Sequence, residues 1–66
     1  MQHYVSLTNS EIAARIAERI HSARDRRILH LRYIDGLTYE AIAEAVELSE
    51  VQVKRIVRRD TEKIQE

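Results

Sequence analysis

Apolar residues recur along the chain at helical spacing, in four runs separated by short polar breaks. In the first run Ile12, Ile16 and Ile20, with Ala13 and Ala17, share one face, while Glu11, Arg15 and Glu18 lie opposite. Thr8 followed three residues later by Glu11 is a capping box, and Leu7 and Ile12 can close a hydrophobic staple around it. The pattern predicts a helix over about residues 9–21. In the second run Ile28, Leu29, Leu31 and Ile34 form a broad stripe, with Arg26 and His30 on the wet side. Ser22 can cap this run, with Asp25 in its first turn. Asp35-Gly36 ends it, because glycine takes the left-handed conformation that closes a helix at no steric cost. Thr38 caps a third, short helix that runs to about Val46. Ser49, with Gln52 three residues on, is a second capping box and opens the fourth helix, which turns Val53, Ile56, Val57 and Ile64 inward. Residues 1–7 and the last few residues read as frayed ends, with Tyr4 and Val5 able to pack on the first helix.

The third and fourth helices are separated by only three or four residues, so they must cross steeply, as in a helix-turn-helix. Ala43 is small where the two would approach most closely. The expected core is Ile28, Leu31, Ile42, Ala43, Val46, Leu48, Val53 and Ile56. The turn position that glycine often fills is Glu47, and a positive φ there would cost about 1 kcal/mol that glycine avoids. The fold class is therefore all-α: a small four-helix domain with a C-terminal helix-turn-helix. Residues 1–66 form a single domain, 1–21 holding the N-terminal tail and first helix and 22–66 the helix-turn-helix part.

Composition narrows the function. At 66 residues, 44% hydrophobic and 33% charged, the chain has room for one small core. Proline is absent and Gly36 is the only glycine, which suits helices joined by tight turns. There is no cysteine, so no disulfide and no thiolate metal site. No apolar run approaches a membrane span and no signal-peptide pattern appears, so no membrane association is expected and a cytoplasmic, nucleoid-associated location is. His3, His21 and His30 form no helical pair at ligand spacing. No nucleophile has a recognisable base and orienter, and there is no glycine-rich phosphate loop. We therefore expect no enzyme activity, no metal and no cofactor.

The net charge of zero argues against a generally basic nucleic-acid binder and leaves a local patch. Residues 54–59, KRIVRR, supply it. At 100° per residue the face of the fourth helix opposite Val53 carries Val51, Arg55, Arg58 and Glu62, with Gln52, Lys54 and Arg59 on the flanks. This is the layout of a helix whose outer face enters a major groove. Glu50 can accept from a cytosine amine, Val51 can meet a thymine methyl, and Arg55 can donate two bonds to one guanine. Ser49, Gln52, Lys54, Arg58 and Arg59 are placed for phosphates, and Thr38 and Tyr39 could hold one at the start of the third helix. The blander readings are a tolerated surface valine at Val51 and a dipole-complementing carboxylate at Glu50.

The stretch DRRILHLRYIDGLTYEAIAEAVELSEVQVKRIV resembles region 4 of bacterial sigma factors, over about Ser22 to Ile64. ILHLRYIDGLTYEAIA followed by LSEVQVKRI carries the likeness, and the LuxR-type output domain is a weaker match. The other sigma regions are missing from these residues. The resemblance implies a stand-alone region-4-like regulator, of the kind found among small phage and mobile-element proteins, that binds double-stranded DNA. It also implies base contacts at Glu50, Val51 and Arg55. A single module makes a small interface, so a homodimer or a larger complex is expected beside the DNA. Region 4 domains also bind the polymerase flap and anti-sigma or activator proteins. The alternative is therefore a protein-interaction module for RNA polymerase or a sigma or anti-sigma partner, presenting Glu40, Glu44 and Glu47. A third reading is an excised or designed domain with no role of its own. The concentration of Lys54, Arg55, Arg58 and Arg59 on one helix favours DNA.

Overall fold

The computed structural model describes residues 7–65. The expected packing of Tyr4 and Val5 lies outside them. Four helices follow in order: α1 (Asn9–Arg19), α2 (Ala23–Tyr33), α3 (Tyr39–Val46) and α4 (Glu50–Gln65), with no strand among the described residues.

Each start is capped by the residue that the sequence offers. Thr8 Oγ1 accepts from the Glu11 N–H at 3.2 Å, and Glu11 accepts from the Thr8 N–H at 3.0 Å. That backbone hydrogen bond is the main reason the Glu11 carboxyl sits below its ordinary pKa. Ser22 accepts from Asp25 N–H and Thr38 from Ala41 N–H. Ser49 and Gln52 exchange their bonds reciprocally, at 3.1 and 3.0 Å. α1 ends at Arg19, two residues before the expected end, because Ile20 turns to an extended conformation and drops into the core. Arg26 then covers the open end, donating to the carbonyls of Ile20 at 2.6 Å and His21 at 3.1 Å.

The core is a single cluster of Ile16, Ile20, Ile28, Leu29, Ile42, Ala43, Val53, Ile56, Val57 and Ile64. Leu31, Val46 and Leu48, expected inside, are only half-buried and pack against its edge. A domain this small has too little interior to enclose every apolar side chain. α2 and α4 pack against all the other helices, whereas α1 touches α2 and α4 but not α3. Ile16 and Ile20 place α1 within the core rather than beside it. Arg15, expected on the wet face of α1, instead donates to the Ile64 carbonyl at 2.8 Å, and Arg19 donates to the Lys63 carbonyl at 3.2 Å. These two arginines satisfy carbonyls at the end of α4 that have no partner within the helix.

The turn between α3 and α4 closes through Glu47, which adopts φ 59° and ψ 42°, the left-handed region. The Leu48 N–H then reaches the Ala43 carbonyl at 3.0 Å. Glu47 is the only non-glycine residue with positive φ among those described, and Gly36 makes the comparable turn after α2 at φ 72°.

Candidate nucleic-acid interface

α4 is two-faced. Val53, Ile56, Val57, Asp60 and Ile64 are buried, while Val51, Gln52, Lys54, Arg55, Arg58, Arg59, Glu62 and Lys63 are exposed. Val51 is 64% exposed, the most exposed large apolar residue among those described. It lines a shallow open groove with Lys54, Arg55, Arg58, Arg59 and Glu62. The expected base-facing residues Val51 and Arg55 thus share one surface with Arg58 and Lys54. Glu50 stands at the N-terminus of the same helix, exposed, its carboxylate 3.4 Å from the Lys54 ammonium.

Ser49 and Gln52 are exposed beside this face. Their hydroxyl and amide oxygens are committed to the capping box, so what they have left for a phosphate is the Gln52 amide N–H groups. Thr38 is likewise the α3 cap through its oxygen. Tyr39, half-buried, has the Arg32 guanidinium 4.2 Å from its ring centroid and the Lys54 ammonium at 5.8 Å. The two expected phosphate sites, at the starts of α3 and α4, are therefore linked through one aromatic ring.

Arg59 differs from its neighbours. Its Nη2 donates to Asp25 Oδ2 at 2.6 Å and its Nε to Asp60 Oδ1 at 3.1 Å. The hydrogen bond and charge of Asp60, then those of Asp25, raise its pKa further. It still lines the groove with its exposed part, but these two donors are spent on the fold.

The carboxylates that hold Arg59 carry little signal in the sequence. Asp60 is 0% exposed and Asp25 4%. Burial pushes the Asp25 carboxyl up. The hydrogen bond shared with Asp60, the hydrogen bond and charge of Arg24, and the charge of Arg59 outweigh burial and leave its pKa below the usual value. Asp60 Oδ2 finds no donor among the described groups. Lys63 approaches Asp60 Oδ1 at 3.6 Å. This clasp ties the first turn of α2 to the middle of α4. The only sequence hint was period: Asp60 falls seven residues after Val53, on the buried face.

No group of three or more histidine, cysteine or acidic side chains among the described residues is arranged to hold a metal. No helix among them is long and apolar enough to cross a membrane.

No curated protein and no solved structure matches the chain. A protein-family model described as sigma-70, region 4 matches residues 22–66, which span α2, α3 and α4 and begin at the Ser22 cap. With that match over most of its length and the four-helix, helix-turn-helix architecture beneath it, the chain belongs to the sigma-70 region 4 family of DNA-binding domains.

Proposed function

We propose that this protein is a sequence-specific, double-stranded-DNA-binding transcriptional regulator that lays the exposed face of α4 in the major groove. One observation carries the reading: Val51 stands 64% exposed in a groove otherwise lined by Lys54, Arg55, Arg58, Arg59 and Glu62. An apolar side chain held outward amid cations costs stability in water and gains a partner against a thymine methyl. Arg55, one turn further along, reads guanine through two parallel donors, and Glu50 accepts from a cytosine amine. Lys54 and Arg58 neutralise phosphates on either side, and Arg59 adds charge to the groove from within its clasp. Gln52, oriented by its capping bonds with Ser49, offers its side-chain amide to the DNA backbone at the start of α4, and Thr38 and Tyr39 hold the backbone at the N-terminus of α3. The work is binding, with no catalytic step and no cofactor.

One module buries little surface, so tight binding calls for a second copy or a neighbouring protein on the same DNA. Sigma region 4 domains also interact with RNA polymerase. The exposed carboxylates Glu40 and Glu44 of α3 and Glu47 at its C-cap, none of which lines the cationic groove, support a polymerase-bound role as the second reading.

A binding titration tests the proposal. The preferred site is first selected from a random-sequence duplex pool. Arg58→Ala and Arg55→Ala are then measured on that site and on scrambled DNA at two salt concentrations. Arg58→Ala should weaken both DNAs and lower the salt slope by about one unit. Arg55→Ala should lose about 1–3 kcal/mol on the preferred site and relax the preference at one base pair. If neither change affects binding, α4 is not the DNA-facing element and the protein-interaction reading takes its place.

A further inference from the structure

Four side chains from three helices form a chain of contacts at the start of α4. Arg32, near the end of α2, donates from Nη1 to the Leu37 carbonyl at 3.0 Å, which fixes its guanidinium against the turn into α3. That guanidinium lies 4.2 Å from the centroid of the Tyr39 ring. The Lys54 ammonium is 5.8 Å from the same centroid and 3.4 Å from Glu50 Oε1. Tyr39 is itself held, half-buried against the core.

We propose that Arg32, Tyr39 and Lys54 form a positioning chain that holds Glu50 in its base-reading orientation, so that Tyr39 sets the selectivity at a base pair it does not touch. The inference rests on the DNA reading above. Glu50 and Lys54 are both about half exposed, and a pair of this kind on a helix surface holds weakly by itself. A long lysine has many rotamers and an exposed glutamate as many. The face of a fixed aromatic ring attracts the ammonium and reduces that freedom. The ring is fixed because Arg32 stacks on it from a position pinned by a backbone carbonyl. Order passes from the α2–α3 turn to the ring, from the ring to the ammonium, and from the ammonium to the carboxylate. Arg32 and Tyr39 are positioning residues here, and the side chain that meets a base is Glu50.

The test uses the full chain and the site selected from the random duplex pool, with every single-base variant of that site. Glu50→Ala locates the base pair that Glu50 reads. Tyr39→Leu, which keeps apolar bulk and removes the aromatic face, should lower the preference at that same pair by roughly two- to fivefold, the range of an exposed cation–π contact. Tyr39→Phe, which keeps the face and drops the hydroxyl, should retain the preference. Arg32→Met should lower it in the same direction as Tyr39→Leu. Thermal unfolding of each variant shows that the domain is intact, and loss of fold moves all base pairs together rather than one. If Glu50→Ala shifts one base pair and neither Tyr39→Leu nor Arg32→Met touches it, the positioning chain is refuted while the DNA reading stands. The same holds if Arg32→Met weakens every duplex equally and lowers the salt slope by about one unit, the signature of a cationic phosphate ligand, or if Tyr39→Leu weakens every duplex equally with no shift at that one base pair. If Glu50→Ala changes no preference, the base assignment and the chain built on it both fail.

Discussion

Replacing Glu47 by glycine should make the domain more stable, although it removes a side chain and adds flexibility. Glu47 sits at φ 59° and ψ 42°, where the Cβ of any L-residue crowds its own backbone at a cost of about 1–2 kcal/mol. Glycine has no Cβ and removes that cost. It also loosens the unfolded chain, which takes back about 0.4–1 kcal/mol. The Glu47 carboxylate is exposed and forms no hydrogen bond or ion pair with the described residues, so no contact is lost. It also stands at the negative end of α3, where a carboxylate is mildly unfavourable. Glu47→Ala removes the carboxylate and keeps the Cβ, so the difference between the two variants isolates the backbone term. Glu47→Gly should exceed Glu47→Ala by about 0.5–1 kcal/mol. For a domain of this size that is a melting temperature higher by roughly 2–8 °C, read by far-UV circular dichroism. If Glu47→Ala gains as much as Glu47→Gly, the strain is electrostatic and the backbone argument is wrong. If Glu47→Gly melts below the parent, the turn is held by something other than its left-handed residue.

Ala43→Leu should cost about 1–3 kcal/mol by chemical denaturation, since Ala43 is 8% exposed within the core and has no room for three more carbons; an unchanged midpoint would mean that α3 and α4 do not meet there. Ile16→Ala should cost about 2–5 kcal/mol, because Ile16 is 3% exposed and joins α1 to the core; a loss under about 0.5 kcal/mol would show α1 to be dispensable. Acid sensitivity should reside partly in Asp25. Its folded pKa is depressed, so the stability it contributes is complete above the unfolded value of about 3.9 and is lost as pH falls through the lower folded value. Asp25→Asn should therefore be less stable than the parent at neutral pH, where Arg59 loses a charged partner, and should lose less stability below about pH 4. Equal acid slopes for the two proteins, from denaturant midpoints across that range, would exclude Asp25 as a source.

The helices, their caps and the outer face of α4 were legible in the residues because they depend on local spacing. Thr8 with Glu11, Ser49 with Gln52, Ser22 and Thr38 act over three residues, within reach of a sequence pattern. The exposure of Val51 and the burial of Val53 follow from the 100° step between neighbouring positions of a helix. Even the strained turn at Glu47 was visible, as a residue where glycine belongs.

What the sequence could not show depends on partners far apart along the chain. Arg59 has the same charge and flank as Lys54, yet two of its donors turn to Asp25 and Asp60 because α2 and α4 bring those carboxylates beside it. An aspartate in a helical pattern reads as surface, since burying a lone carboxylate is costly, and only cations from other turns make it tolerable. Arg15 reads as solvated until α1 lies against the end of α4 and the Ile64 carbonyl becomes its acceptor. The line from Arg32 through Tyr39 and Lys54 to Glu50 likewise exists only after three helices have packed. Periodicity gives each side chain a direction from its own helix axis, and the packing of the axes decides which charge it meets there.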